Sequence, residues 1–277
     1  MGRAKEIIVK VIPSKIANDF VKLHHYSKKV VANSQLHFGA FLDGRLHGVM
    51  SYGCSLDKRK MLGLVEGTGW NEFLELNRMA FDDYLPNNSE SRCIGISIKL
   101  IKKNAPHIKW IVSFADGTQC GDGAIYRASG FFLTSVKENK SILEIGSEVF
   151  TNIGIRTGKA QRNKFCKATF CQGRFINDTG KASDKKFIDA GANYIPGFQF
   201  RYIYLIDKTA KINVPILPFS KIDEMGAGMY KGKKITIAER QKCDVSRTAN
   251  AAGFQLAEGG QHDHIAQNTE NKQLIEG

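Results

Sequence analysis

The stretch Lys109-Trp-Ile-Val-Ser-Phe-Ala-Asp116 is an apolar run closed by a carboxylate. It is followed by a loop with Gly117, Gly121 and Gly123, and then by Ala124-Ile-Tyr126-Arg-Ala-Ser-Gly130-Phe131. A buried strand that ends in a glycine-spaced loop and restarts as a short helix is the strand-to-helix junction of an α/β sheet. It sets Asp116 at the carboxyl end of the strand and Tyr126 on the helix beside it, where open α/β sheets bind ligands.

The flanking sequence fits such a sheet. Residues 5–12 read as a strand, and Pro13-Ser14 opens an amphipathic helix with Ile16, Phe20, Val21 and Leu23 expected inward. Leu36–Leu42 and Leu46–Tyr52 flank Asp43-Gly44, a strong hairpin signal. Residues 55–72 read as loop and Phe73–Phe81 as a strand with Leu74, Leu76 and Met79 as core candidates. Length and the polar start Asn87–Ser91 favour a helix, although the alternation of Ile94, Ile96 and Ile98 would also allow a strand, and a strand is expected over Phe131–Val136. Phe198–Ile206 alternates aromatic and polar residues as a strand does. The predicted architecture is a mixed α/β domain over 1–150, a basic extension over 151–235 packed on it, and a polar tail over 236–277 expected to be disordered.

Charge narrows the partner. Lys and Arg number 40 against 27 Asp and Glu, a formal net charge of +13. The tail carries four basic and six acidic residues, so residues 1–235 hold +15. A polyanion, nucleic acid first among them, is the expected partner. Between 155 and 187 nine basic residues face two aspartates, with Phe165, Phe170, Phe175 and Phe187 interleaved. Arg156, Lys159, Arg162, Lys164, Lys167 and Arg174 are the candidate phosphate contacts of this extension, and a phenylalanine is a candidate wedge beside a displaced base. No apolar run of about 18 residues is present, so no membrane span is expected. A signal peptide and a myristoylation site are not expected either. The six cysteines follow no secreted framework or zinc spacing and read as reduced thiols in a cytoplasm.

Two motifs carry chemistry. Arg92-Cys-Ile-Gly95-Ile-Ser97 opens a helix whose free amides suit an anion, with Ser91 in the same turn. A tight helix–strand contact would explain Gly95 equally well. Read as R-x-x-G-x-[GAS], this segment resembles the pyrophosphate-cradling loop of GNAT acyltransferases. Ala124-x-Tyr126-x-x-x-Gly130-Phe131 resembles the later region of the same fold, and it stands in the right order. The resemblance implies a GNAT-like sheet, an acyl-CoA-like donor bound by Arg78, Ser91, Arg92, Gly95 and Ser97, and Tyr126 as a general acid.

A narrower resemblance spans about residues 15–136 and continues through Arg201-Tyr-Ile-Tyr-Leu205 and Pro218-Phe-Ser-Lys-Ile-Asp223. It is carried by His24-His25-Tyr26-Ser27, Leu36–Phe41, Asn71-Glu-Phe-Leu-Glu-Leu-Asn-Arg78, Ser89-Glu-Ser-Arg92 and Ser113-Phe-Ala-Asp116. These motifs are similar to the phage Mom family. The resemblance implies an enzyme that adds a carbamoylmethyl group to the exocyclic amine of adenine in double-stranded DNA and so protects phage DNA from restriction. Asp116, Tyr126, Tyr26 and His25 are then the catalytic candidates. Iron is a cofactor entertained for this family; which residues would ligate a metal is left unknown. The competing expectations are a GNAT N-acetyltransferase acting on a protein or small-molecule amine, and a non-catalytic nucleic-acid-binding protein on the same fold.

Overall fold

The structure is a computed structural model that describes residues 3–169, 184–230, 233–236 and 238–239. Along the chain run β1 (Ile8–Val11), α1 (Ser14–His24), β2 (Ser34–Leu42), β3 (Arg45–Gly53), α2 (Lys58–Leu62), β4 (Phe73–Phe81) and α3 (Ser89–Asn104). They are followed by β5 (Trp110–Asp116), α4 (Ala124–Ala128), β6 (Phe132–Glu138), β7 (Ile142–Ile145), β8 (Glu148–Thr151), α5 (Asn152–Thr157) and α6 (Lys159–Ala168). The last elements are α7 (Asp184–Asp189), β9 (Asn193–Tyr194), β10 (Phe198–Leu205), α8 (Ser220–Glu224), β11 (Met229–Tyr230) and β12 (Lys233–Lys234).

Seven strands form one sheet in the order β1-β2-β3-β4-β5-β10-β6. Every pair is antiparallel except β4 with β5. The β2–β3 turn has Asp43 and Gly44 both at positive φ, 50° and 75°, the two-residue geometry whose twist matches a hairpin. β10 lies between β5 and β6, so the main sheet draws on chain from both sides of residue 150. Residues 1–235 form one compact unit. Apart from residues 236, 238 and 239, the expected disordered tail lies outside the described residues.

One face of the sheet packs against α3 and α4. Met50, Tyr52, Leu76, Ile111, Leu133, Phe200 and Tyr202 meet Ile94, Ile98 and Ile101 of α3 there. The opposite face has two covers. Ala17 and Val21 of α1 sit on Val49 and Ala80. Leu64 and Val65, from the segment after α2, sit on Phe73, Trp110, Val112 and Ile203. Trp110 stacks on Phe73 at 4.5 Å and is fully buried. Each large side chain buried so completely contributes about 1.5–3 kcal/mol.

Two local readings need correction. The inward residues of α1 are Ala17 and Val21, with Phe20 partly buried beside them, whereas Ile16 and Leu23 are exposed at 47% and 65%. Small Ala17 permits the close approach of the helix to β3 and β4 that a larger inward residue would prevent. Residues 55–72 are not all loop. Asp57 caps α2 by accepting from the Lys60 amide at 3.4 Å.

The site is opened by a break in the sheet. β4 pairs with β5 only over Phe73–Glu75 and Trp110–Val112, although the strands continue to Phe81 and Asp116. Just past that point the β3–β4 register jumps from Tyr52↔Leu76 to Ser51↔Arg78, leaving Asn77 as an extra residue. A bulge bends its strand and re-aims side chains. Here it turns β4 away from β5 and leaves a cleft between them.

A satellite forms beyond β6. β8, β7 and β9 make a small sheet, and Leu143, Phe150, Ile155, Phe165, Phe187 and Ala192 make its core. Phe165 lies edge-on to both Phe150 and Phe187 at 5.3 Å. Phe165 and Phe187 are therefore core residues rather than wedges for a base, while Phe170 and Phe175 lie outside the described residues.

Candidate active site

Four elements deliver polar groups to the cleft. The turn after α1 supplies His25 and Tyr26. It is a tight turn, with Lys28 at φ 52° and its amide donating to His25 O at 2.9 Å. β4 supplies Glu75 and Arg78, β5 supplies Ser113 and Asp116, and α4 with the loop before it supplies Tyr126 and Cys120. Their electrostatic coupling shows the convergence: Tyr26 feels Asp116, Cys120, Arg78 and Tyr126, and Arg78 feels Tyr26, Glu75 and Tyr126.

Asp116 is held rather than free to swing. Its Oδ1 accepts from the Thr118 amide and from Asn139 Nδ2, each at 3.0 Å. Burial raises its pKa, and the Thr118 and Asn139 bonds only partly offset that rise. Glu75 is flanked by Ser55, Asn77 and Arg78, and burial pushes its pKa up as well. Tyr126 is 8% exposed and packs its ring near Tyr202 and Phe131. Its pKa is pushed up to about 12, chiefly by burial and against a bond to Ser113. The phenol is a proton donor at neutral pH. Tyr26 is raised further by desolvation of its hydroxyl, although its ring is half exposed.

His25 is buried and packs beside Tyr26 at 4.2 Å. Its Nδ1 accepts the Ser27 amide at 3.1 Å and lies 2.8 Å from Ser27 Oγ, so the ring proton resides on Nε2. Burial, then Arg78 and Lys28, lower its pKa to about 4. The imidazole is neutral at physiological pH.

Arg78 donates from Nε to Lys29 O at 3.0 Å and from Nη1 to Asn77 O at 2.8 Å. No carboxylate among the described residues lies within ion-pair distance of it. The cation is thus fixed in direction by neutral oxygens and left with charge to spend on an anion.

The glycine loop has a reason in packing. Gly123 has φ +83°, and a Cβ there would meet the Tyr202 ring at 2.5 Å. Arg127 on α4 binds Asp122 Oδ1 at 3.0 Å and Tyr202 Oη at 3.3 Å, which ties the helix carrying Tyr126 to β10.

The residues expected to hold a donor divide. Ser91 and Arg92 stand in the first turn of α3. Ser91 Oγ donates to Asn88 O at 3.1 Å, and Arg92 is exposed and donates to Lys5 O at 3.4 Å. A Cβ on Gly95 would meet nothing within 4 Å, so no helix–strand contact demands glycine there. Ser97 lies in the core, where its hydroxyl is engaged by Tyr52 Oη at 2.6 Å and donates to Ile94 O at 2.8 Å.

The candidate DNA contacts also divide. Lys164 pairs with Glu148, Arg162 donates to the Ile155 and Arg156 carbonyls at the end of α5, and Arg156 lies over the Phe187 ring. Lys159 and Lys167 are exposed on α6, and Arg174 lies outside the described residues.

Among the described residues no group of three or more His, Cys, Asp or Glu side chains is placed to hold a metal ion. The iron entertained for the family therefore finds no such group of donors among the described residues. Glu75 and Ser113 escaped the reading of the sequence. Glu75 left one trace, a charge on the same strand face as core residue Phe73.

Fold and site define a mixed α/β protein with charged and polar groups gathered where two parallel strands part. Residues 6–221 match the Mom protein family, and the chain belongs to that family. It is 33% identical over 194 residues to the methylcarbamoylase mom of Escherichia phage Mu, an alignment covering 66% of this chain and 80% of that protein. Solved structures similar to it include an acetyltransferase from Bacillus subtilis in complex with CoA, with 10% identity, a TM-score of 0.39 and coverage of 72% of this chain and 98% of that one. Another is a GNAT family acetyltransferase from Elizabethkingia anophelis with acetyl-CoA bound, with 16% identity, a TM-score of 0.33 and coverage of 48% and 80%.

Proposed function

We propose that the protein is a transferase that adds a carbamoylmethyl group to the exocyclic amine of adenine in double-stranded phage DNA. It would act in the host cytoplasm and shield that DNA from restriction. The observation that carries this reading is the convergence of His25, Tyr26, Arg78, Asp116 and Tyr126 from separate elements on one cleft, in a chain related to a methylcarbamoylase.

An adenine amine is inaccessible in the stack and weakly nucleophilic, because its lone pair is delocalised into the ring. The base must be flipped out and a proton removed from it. Asp116, oriented by Thr118 and Asn139, accepts that proton as the amine forms its bond to the CH₂ carbon. Tyr126 gives a proton to the leaving group, and Arg78 pairs with negative charge on the donor. Neutral His25 and Tyr26 orient the base edge by hydrogen bonds. The start of α3, with Ser91, Arg92 and the open space over Gly95, suits the phosphates of an acyl-CoA-like donor. Such a donor supplies an activated carbon. Simple acyl transfer, however, would leave an amide, so a carbamoylmethyl product requires either a donor activated at CH₂ or a further step.

The test is co-expression with a plasmid, digestion of the DNA to nucleosides and mass spectrometry. A deoxyadenosine heavier by one carbamoylmethyl group is expected. Only unmodified deoxyadenosine from soluble protein in several hosts would overturn the reading.

A further inference from the structure

The cover on the α1 side of the sheet stops short of its far end. Alternation along β10 places Phe198, Phe200 and Tyr202 in the core on the α3 side, and Ile203 and Leu205 in the cluster on the other side. Arg201 and Gln199 therefore face the α1 side. Their partners in register are Phe114 and Asp116 on β5, and Ser135 and Lys137 on β6. Phe132, opposite Ile203, shares that face.

This strip is open. Gln199 and Lys137 are exposed, Phe132 is 37% exposed, and Phe114, Ser135 and Arg201 are half-buried. It runs from β6 across β10 to Asp116, at the lip of the cleft.

Arg201 repeats the character of Arg78. Its Nε donates to Thr134 Oγ1 at 3.0 Å and its Nη2 to Thr134 O at 3.2 Å, at the β6 bulge. No carboxylate among the described residues lies within ion-pair distance. Burial alone pulls its pKa down. A guanidinium aimed by neutral oxygens and left without a counter-charge is complementary to an anion. Lys137 lies on the diagonal from Arg201, about 7–8 Å away between backbones, and its ammonium extends into solvent.

We propose that this strip seats the sugar–phosphate backbone of the DNA strand that carries the target adenine, with Arg201 and Lys137 each taking a phosphate and Phe132 packing against the intervening sugar. Asp116 at the end of the strip then meets the base that this strand delivers. The placement rests on the adenine-modification reading and adds to it the path of the strand. It also moves the main phosphate contacts off the basic helices α5 and α6.

The experiment measures binding of a fluorescent DNA duplex across a salt series by the full chain and its variants. Each phosphate contact removed reduces the slope of log affinity against log salt by about 1. Lys137→Gln and Arg201→Gln are each expected to lower the slope by about that amount and to weaken binding at low salt. Lys103→Gln, on the far side at the end of α3, is expected to leave it unchanged. Lys137→Gln guards against a folding defect in the Arg201 variant, because Lys137 is exposed. Unchanged slopes in folded Lys137→Gln and Arg201→Gln proteins would overturn the strip while leaving adenine modification by the parent protein intact. An equal loss in Lys103→Gln would reduce the effect to bulk charge and overturn it too. Failure of the parent protein to bind DNA at all would overturn both readings together.

Discussion

The cleft and the satellite handle charge in opposite ways. The satellite carries the densest run of basic residues in the sequence, yet two cations of its described helices already have a charged or aromatic partner: Lys164 on Glu148 and Arg156 over Phe187. The cleft and the sheet beside it hold fewer cations, but Arg78 and Arg201 are bound only by neutral oxygens. Carboxylates follow the same division. Glu148 of the satellite is spent on Lys164, whereas burial keeps Asp116 and Glu75 of the cleft above the usual carboxylate range. The number of charges in a segment says how well it is solvated. Where charges are left unpaired says where a ligand is expected.

The sharpest way to break this contrast is to neutralise the cleft. Asp116→Asn keeps an oxygen for Thr118 and Asn139 and removes the proposed base, so modified deoxyadenosine should fall by about 10²–10⁴-fold in nucleoside mass spectrometry. A yield equal to the parent's would take the chemistry away from Asp116. Next is Phe165→Ala in the satellite. Emptying a fully buried phenylalanine site should cost about 3–5 kcal/mol in urea unfolding. A variant of undiminished stability that loses modification would instead restore Phe165 as a base wedge.

The smallest of the three effects is in the acid response of the cleft. His25 has a folded pKa of about 4, below the 6.5 of an ordinary histidine. Above pH 6.5 it is neutral in both states and adds no pH dependence. As pH falls from 6.5 to 4 the unfolded chain gains a proton that the native state refuses, and stability drops by up to about 3 kcal/mol. Urea midpoints at pH 7, 6 and 5 should therefore fall less steeply in His25→Gln than in the parent. Parallel curves would mean that the imidazole is not protected from protonation.

Local patterns made much of the frame legible. Asp43-Gly44 marked the β2–β3 turn, the polar start before Ser89 marked α3, and Phe73–Phe81 is β4 with the bounds read from its composition. What stayed hidden depends on contacts between distant segments. Ser97 belongs to the core because Tyr52, far away in sequence, reaches its hydroxyl. Ala17 faces inward because Val49 and Ala80 lie close beneath it. The bulge at Asn77 has no signature of its own, since it exists only as a mismatch with β3, and with it Glu75 stayed out of view. The alternation in β10 announced a strand but not a place between β5 and β6.

That place has a consequence for biosynthesis. Until residues 198–205 leave the ribosome, β5 has no partner on the edge that ends at Asp116. The nascent chain must carry a bare, apolar strand edge while the whole satellite is being made, and such edges recruit other chains. Truncation anywhere before Phe198 should give an aggregating product rather than a smaller enzyme. The late strand thus acts as a completeness check, because only a chain translated past it can close the sheet that supports Asp116.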